Sequence, residues 1–259
     1  RIVTKLAANL SMMFQDLPFI ERFDAAAAAG FSGVEYLFPY EAPAEAIAEK
    51  LKANGLTQVI FNSPAGNWAG GERGLAAVPG REQEFRDGVA LALKYADATG
   101  CKMLHLMAGK AAGDAAEKTF VGNIKFAADA ASGHGVNVVI EPINTHVDIP
   151  GYFLNHTGQA MSIIEQAGRK NVGLQYDIYH MQIMEGDLAR SIKRLLPQIY
   201  HMQWADTPGR AEPGTGELTY PWLLDYIDTL GYEGWIGCEY RPVGGTVDGL
   251  GWARKYLSK

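Results

Sequence analysis

The stretch IIEQAGRKNVGLQYD (163–177) contains the unit that decides the fold, namely a helix end, a glycine and a strand. Gly168 stands where a helix C-terminus needs a left-handed residue, and VGLQYD (172–177) follows as a β-rich segment. The same order recurs along the chain, and the glycines that end the amphipathic segments are Gly30, Gly55, Gly100, Gly135, Gly168 and Gly231. This repeated unit predicts helices that alternate with strands.

The repeat places eight strands. Besides 172–177 they are LAANLS (6–11), GVEYLF (33–38), QVIFNS (58–63), MLHLMA (103–108), NVVIEP (137–142), IYHMQWA (199–205) and WIGCEY (235–240). Alternation of strand and helix eight times predicts an α/β fold, a single (β/α)8 TIM barrel, with an open doubly wound sheet as the alternative. No low-complexity linker divides residues 1–259, so we expect one domain.

The composition narrows the classes of partner. The net charge of −6 is unfavourable for a protein that must neutralise phosphates, so we expect no nucleic-acid partner. Two cysteines are too few for a disulfide framework or a cysteine zinc site, and no apolar run reaches the ~18 residues of a membrane helix. We therefore expect a cytoplasmic protein with no membrane partner. Aromatic residues in the loops are compatible with a homo-oligomer.

Four neighbouring strands each carry one oxygen-bearing side chain between apolar or aromatic neighbours, and these are Glu141, Asp177, Gln203 and Glu239. Because side chains of a strand alternate, the four should face the barrel axis at its C-terminal end. Three buried carboxylates repel one another unless a cation joins them. The all-oxygen set favours Mg²⁺ or Mn²⁺ over zinc. For any one of them alone, a structural salt bridge is the alternative.

Further residues near the predicted mouth suit a small acidic substrate. His180 follows Asp177 by three residues and is expected to contact substrate, whereas His105 and His201, inside strands, are expected to be structural. Arginine binds carboxylates through two parallel hydrogen bonds. The candidates for this role are Arg73 and Arg210, with Arg81 and Arg241 as further ones.

The glycine-rich loop from Ser63 to Pro79 is the longest in the chain and should lie at the mouth. Within and beside it, Trp68 and Phe61 are expected to form a wall, and Asn62, with Asn9, to bind substrate hydroxyls. A dinucleotide GxGxxG fingerprint, a Walker motif and a GxSxG elbow are all absent from the sequence.

Several segments resemble the hydroxypyruvate isomerase family, which lies in the wider xylose-isomerase-like barrel group. They include IEPIN (140–144), QYDIYHMQIMEGDL (175–188) and EPGTGEL (212–218), and the similarity covers nearly the whole chain. The resemblance implies that Glu141, Asp177, Gln203 and Glu239 bind the metal and that Glu141 and Glu239 are the catalytic pair. Gln203 departs from the histidine found at this place in many ketose epimerases of the group.

The activity that the resemblance implies is the interconversion of hydroxypyruvate and tartronate semialdehyde through an enediolate. One glutamate would move the carbon-bound proton and the other would serve the hydroxyl proton, with a metal-assisted hydride shift as an open alternative. The neighbouring activities are 2-oxo-tetronate isomerase and ketose 3-epimerase. More distant alternatives are a DNA-repair endonuclease of similar fold and a non-catalytic sugar-acid binding protein.

Overall fold

The computed structural model describes residues 4–257 and contains a closed barrel of eight parallel strands. The strands are β1 (Lys5–Asn9), β2 (Gly33–Glu35), β3 (Thr57–Asn62), β4 (Met103–His105), β5 (Asn137–Ile140), β6 (Val172–Asp177), β7 (Ile199–Gln203) and β8 (Trp235–Cys238). Each strand pairs with the next in sequence, and β8 closes the ring on β1, with Leu6 opposite Ile236. The predicted barrel is confirmed, and the closure excludes an open doubly wound sheet.

Helices follow the strands, as the alternation predicts. They are α1 (Arg22–Ala28), α2 (Ala44–Asn54), α3 (Glu82–Thr99), α4 (Gly113–Ser132), α5 (Thr157–Ala167), α6 (Ile178–Met184), α7 (Leu188–Leu195) and α8 (Tyr220–Thr229), with 3-10 turns at Phe19–Glu21, Leu196–Gln198 and Asp248–Ala253. All six glycines that were expected to end helices have positive φ, including Gly55 and Gly168 in the helix C-cap position. Strand β6 is followed by two helices, and only a 3-10 turn follows β8 among the described residues.

The core has two parts, on the two sides of the strands. The larger part packs the outward faces of the strands against the helices. A small separate cluster contains Ala7, Val59, Ile60 and Val139. Of these, Ala7, Ile60 and Val139 each stand two residues before an inward polar residue, so an apolar floor lies beneath a polar layer. This layering places polar side chains at the C-terminal mouth.

Several predicted strands extend past the observed ends. Strand β4, expected over 103–108, ends at His105, and β8 ends one residue before Glu239. Backbone pairing stops there because the chain turns into the loops at the mouth. The glycine-rich loop is held there by an antiparallel bridge between Gly74 and Ala108. Within residues 4–257, none of the helices combines the length and apolar character needed to cross a membrane.

Candidate active site

A cavity of about 280 Å³ opens at the C-terminal end of the barrel. Most of the residues singled out from the sequence line it: Glu141, Gln203, Glu239, His180, Arg210, Asn62, Arg73 and Trp68. Asp177 lies beside it and is buried. Arg241 and Asn9 also line the cavity, whereas Phe61 and Arg81 do not. Phe61 points outward into the core between strands and helices, so its expected place in the wall was wrong.

Glu141, Asp177 and His180 form a buried cluster whose possible ligand atoms lie within 4.8 Å of one another. Strand β6 runs directly into α6, and Oδ1 of Asp177 caps this helix by accepting from the backbone N–H of Tyr179 at 2.8 Å. Its Oδ2 has no hydrogen-bond partner among the described residues, and neither has Oε1 of Glu141. Two buried carboxylate oxygens without a donor fit a divalent metal ion.

The protonation of these acids reflects their burial. Burial and the charge of Glu239 raise the pKa of Glu141 well above its usual value. Burial also raises the pKa of Glu239, against the opposing effect of Arg210. For Asp177, burial raises the pKa to about 6. The site therefore favours a bound proton or a bound cation over three bare negative charges.

His180 is held in one tautomer by Asn144. Nδ1 of His180 lies 2.8 Å from Nδ2 of Asn144 and 3.3 Å from its backbone N, and both groups are donors. Nδ1 must then accept, so the ring proton sits on Nε2. Nε2 lies 3.8 Å from Glu141 Oε1 and 3.7 Å from Asp177 Oδ2. Burial lowers the pKa of His180 well below its usual value, so the ring is a neutral donor in this cluster.

Gln203 is embedded in a second buried network. Its Oε1 accepts from Nε2 of Gln175 at 2.6 Å, and its Nε2 donates to Glu35 Oε1 at 2.8 Å. Glu35 also accepts from Asn9 Nδ2 at 3.0 Å and lies 2.6 Å from His201 Nε2. His201 thus has a structural contact, as expected. A metal-binding role for Gln203 stays a prediction that would use the second lone pair of Oε1.

Glu35 was missed in the sequence, although it carries the signal that marked Glu141. It stands between Val34 and Tyr36 in a predicted strand, so the alternation of polar and apolar residues could have found it. Its carboxylate accepts three side-chain hydrogen bonds beneath the cavity. These three contacts hold the carboxylate in place, and the carboxylate in turn orients the side chains of Asn9, His201 and Gln203.

Arg210 bridges two acids at the rim. Its Nη1 donates to Asp148 Oδ1 at 2.8 Å and its Nη2 donates to Glu239 Oε1 at 3.0 Å. The guanidinium also lies 5.0 Å from the ring centroid of Tyr179, whose hydroxyl donates to Asp148 Oδ2 at 2.7 Å. Its backbone has a φ of 53°, a left-handed conformation that costs a non-glycine residue energy and is often found at functional sites. Asp148, in a loop without periodic pattern, gave no signal in the sequence.

The opposite rim comes from the glycine-rich loop. The Arg73 guanidinium lies 4.1 Å from the ring centroid of Trp68, and its Nη1 donates to the carbonyl oxygens of Trp68 at 2.9 Å and Glu72 at 2.7 Å. Arg81 turns away from the cavity and pairs with Glu72 at 2.6 Å, so its expected place among the substrate-binding candidates was wrong.

Asn62 and His105 link this rim to the acids. Their side chains share a hydrogen bond of 3.1 Å between Asn62 Oδ1 and His105 Nδ1. Nδ1 of His105 lies 3.6 Å from Oε2 of Glu141. Burial lowers the pKa of His105 to about 3, so its ring is neutral. His105, expected to be only structural, therefore lines the cavity beside a predicted catalytic residue.

Comparisons with known proteins agree with the barrel fold. A model of the family described as xylose isomerase-like TIM barrel matches residues 23–256. The chain is 52% identical to 2-oxo-tetronate isomerase of Cupriavidus necator, over 98% of this chain and 99% of that protein. It is 46% identical to hydroxypyruvate isomerase of Escherichia coli, over 97% and 99%. A solved structure described as AP endonuclease, family 2, from Brucella melitensis is 50% identical with a TM-score of 0.96, covering 98% of this chain and 100% of that one.

Proposed function

The chain belongs to the xylose isomerase-like TIM barrel family, and from that premise we propose that it isomerises small hydroxy-oxo acids, interconverting hydroxypyruvate and tartronate semialdehyde. The relatives named as isomerases over almost their whole length support this class. The observation that carries the proposal is a pair of buried glutamates, Glu141 and Glu239, that line one small cavity and both have raised pKa values.

The reaction breaks a C3–H bond of hydroxypyruvate and forms a C2–H bond, while the hydroxyl proton moves from the C3 oxygen to the C2 oxygen. Two carboxyl groups suit these two proton transfers, because a carboxyl with a raised pKa can both accept and return a proton near neutral pH. Glu239 has its charge balanced by Arg210, and Glu141 lies beside the neutral rings of His105 and His180. The His180 Nε2–H is directed into this cluster and can donate to a substrate oxygen.

We propose Mg²⁺ or Mn²⁺ as the cofactor, held by Glu141 and Asp177 and completed by Glu239 and the amide oxygen of Gln203. Such a hard cation suits an all-oxygen set, and when bound it would polarise the substrate carbonyl and offset the charge of the enediolate. The tautomer that Asn144 imposes on His180 is the reason to leave His180 out of the ligand set, since Nε2 carries a proton.

A second candidate is isomerisation of a four-carbon 2-oxo-tetronate, which the 52% identical relative favours. A cavity of about 280 Å³ is small among ligand pockets, and this favours three- and four-carbon acids over the free ketoses of a ketose 3-epimerase. A non-catalytic sugar-acid binding protein would have no need for two acids of raised pKa. Endonuclease activity is disfavoured by the net charge of −6 and by the carboxylates at the mouth.

The test is turnover of hydroxypyruvate by protein stripped with EDTA and refilled with Mg²⁺ or Mn²⁺. Tartronate semialdehyde is followed through a coupled NADH-dependent reductase, with 2-oxo-tetronate and a DNA duplex containing an abasic site as parallel substrates. Metal-dependent turnover of hydroxypyruvate supports the proposal. Turnover of 2-oxo-tetronate alone would make 2-oxo-tetronate the substrate in place of hydroxypyruvate. Cleavage of the duplex alone overturns the reaction class, and full activity after EDTA treatment overturns the metal assignment.

A further inference from the structure

We propose that Arg73, on the loop between β3 and α3, binds the substrate carboxylate and that Arg210 does not. The inference rests on the proposed function for the identity of the substrate as a 2-oxo acid. It assigns the carboxylate to the side of the cavity that faces away from Glu239, and it makes Arg73 the residue that selects acids over uncharged sugars.

Arg210 already has its charge balanced. It is buried, and its two terminal nitrogens donate to Asp148 and Glu239 at 2.8 and 3.0 Å. Both terminal nitrogens are therefore already engaged, and a substrate carboxylate at this position would have to displace Asp148 or Glu239 from the guanidinium. Arg210 instead acts by holding Glu239 in place.

Arg73 has no such partner. Within residues 4–257, no aspartate or glutamate oxygen lies within 4.0 Å of its guanidinium. The neighbouring Glu72 is drawn away because it pairs with Arg81. A half-buried guanidinium at a cavity, without a carboxylate of its own, is a site for an acidic ligand.

The side chain of Arg73 is also fixed in advance. Nη1 donates to two backbone carbonyl oxygens, and the guanidinium stacks over Trp68 at 4.1 Å. Nε and Nη2 make no hydrogen bond to the described residues, and this free edge has the spacing of the two oxygens of a carboxylate. A pre-ordered guanidinium loses little entropy when it binds.

The other positive candidates at the cavity are weaker. Arg241 lines the cavity, but it is exposed and its side chain forms no hydrogen bond or ion pair with the described residues. His105 and His180 each have Nδ1 engaged, by Asn62 and by Asn144, so neither ring offers the two parallel donors of a guanidinium. Arg73 is thus the cation that is both free and held in position. With the carboxylate there, the reacting carbons can lie toward Glu141 and Glu239.

The first test compares Arg73→Gln and Arg73→Lys with the matched control Arg190→Gln, which removes a positive charge from a side chain that is 85% exposed. For hydroxypyruvate, Arg73→Gln should raise KM about 10- to 100-fold with little change in kcat, because a charge-assisted pair is lost. Arg73→Lys should give an intermediate KM. Turnover of the carboxylate-free analogue dihydroxyacetone, measured in parallel, should be the same in Arg73→Gln as in wild type. An unchanged KM for hydroxypyruvate in Arg73→Gln overturns the inference.

The second test needs no turnover. D-glycerate, a carboxylate that cannot isomerise by this route, is titrated into metal-free protein while tryptophan fluorescence is recorded, since Trp68 lies against Arg73. A saturable change in wild type and Arg190→Gln that is lost in Arg73→Gln supports the inference, even if no oxo acid is turned over and the proposed function fails. An equal change in Arg73→Gln overturns it. If Arg73→Gln does not fold, as judged by circular dichroism, Arg73→Lys decides: at least tenfold weaker binding supports the inference, and wild-type binding overturns it.

Discussion

The two halves of the barrel mouth differ in charge. Strands β5–β8 deliver the acids and the amide predicted to bind metal: Glu141, Asp177, Gln203 and Glu239. Strands β1–β4 and their loops deliver neutral or positive groups to the same cavity: Asn9, Asn62, Trp68, Arg73 and His105. Among the described residues of that half that line the cavity, the one acid is Glu35, and it is occupied by three side-chain partners. We therefore expect a substrate with a carboxylate at one end to bind with that carboxylate toward Arg73 and with its other end toward the acids of β5–β8.

The halves also differ in what supports them. The acidic half depends on loop residues. Asn144 fixes the orientation of His180. Arg210, paired with Asp148, holds the rim beside Glu239. In the other half, strand residues support one another, as Asn9 does for Glu35 and Asn62 for His105. We therefore expect substitutions in the loops to change turnover most, and substitutions in the strands to change the structure of the cavity floor most.

The largest expected effect is on the acidic half. Replacing Glu141 or Glu239 with glutamine keeps the shape of the side chain and removes its proton-transfer ability. We expect turnover of hydroxypyruvate to fall by about 10²- to 10⁴-fold in each variant. The melting temperature should hold or rise in Glu141→Gln, because a buried acid without a cationic partner is replaced, and it should fall in Glu239→Gln, because buried Arg210 loses an ion-pair partner. The matched control is Glu49→Gln, an exposed residue of α2. Wild-type turnover in either variant would show that the reacting groups lie elsewhere.

The next effect concerns the cation. Carboxyls whose pKa is raised by folding stabilise the protein while protonated, below about pH 4, and this stabilisation is lost as the pH rises through the folded pKa, which for Asp177 is about 6. Metal-free protein should thus be less stable at pH 8 than at pH 5. A Mn²⁺ concentration of 100 times the Kd at pH 8 should raise the melting temperature at pH 8 by roughly 5–10 °C, and the same concentration should raise it by less at pH 5.

Differential scanning fluorimetry measures both arms of this experiment. Asp177→Asn is the matched variant, since it removes one of the two carboxylates whose oxygens lack a partner. It should raise the stability of metal-free protein at pH 8 and reduce the response to Mn²⁺. An equal response at both pH values would argue against buried carboxylates as the binding groups.

Local alternation in the sequence was enough to find the strands and the inward residues of β5–β8. Strand periodicity decides which face a side chain occupies, and the C-terminal end of a parallel barrel is common to all strands. The same signal was present for Glu35 and was overlooked. Phe61 was misplaced because adjacent residues of a strand face opposite sides. Asn62 faces the cavity, so Phe61 faces outward into the core.

Other parts of the site could not be predicted from local pattern. Asn144 and Asp148 lie in a loop after β5. Asp148 acquires its role because Arg210, 62 residues later, reaches back to it, and Asn144 acquires its role through contacts with Asp148 and His180. The difference between Arg73 and Arg210 is of the same kind. Both stand in glycine-rich loops in the sequence, and only the tertiary contacts show that one is paired with acids and the other is not.

A third prediction tests the floor that joins the two halves. A Cβ on Gly237 would overlap the carboxylate of Glu35 and displace it from Asn9 and Gln203. Gly237→Ala should lower the free energy of unfolding by about 1–3 kcal/mol, as overpacking in a buried site does. The matched control is Gly122→Ala in α4, where a Cβ meets nothing within 4 Å and should be neutral or slightly stabilising. Urea unfolding compares the two, and equal stabilities would mean that Glu35 can move freely.

The smallest expected effect concerns the half of the mouth formed by strands β1–β4 and their loops. Trp68→Leu removes the ring beneath Arg73 but leaves both carbonyl contacts of its guanidinium available. An exposed cation–π pair contributes about 0.5–1 kcal/mol, so KM for hydroxypyruvate should rise about two- to fivefold while kcat is unchanged. Trp222→Leu is the control, because Trp222 is exposed on α8, where it stacks on Tyr226 away from the cavity. A fall in kcat at constant KM would instead place Trp68 over the reacting carbons, and the carboxylate would then have to lie on the acidic side with Arg210.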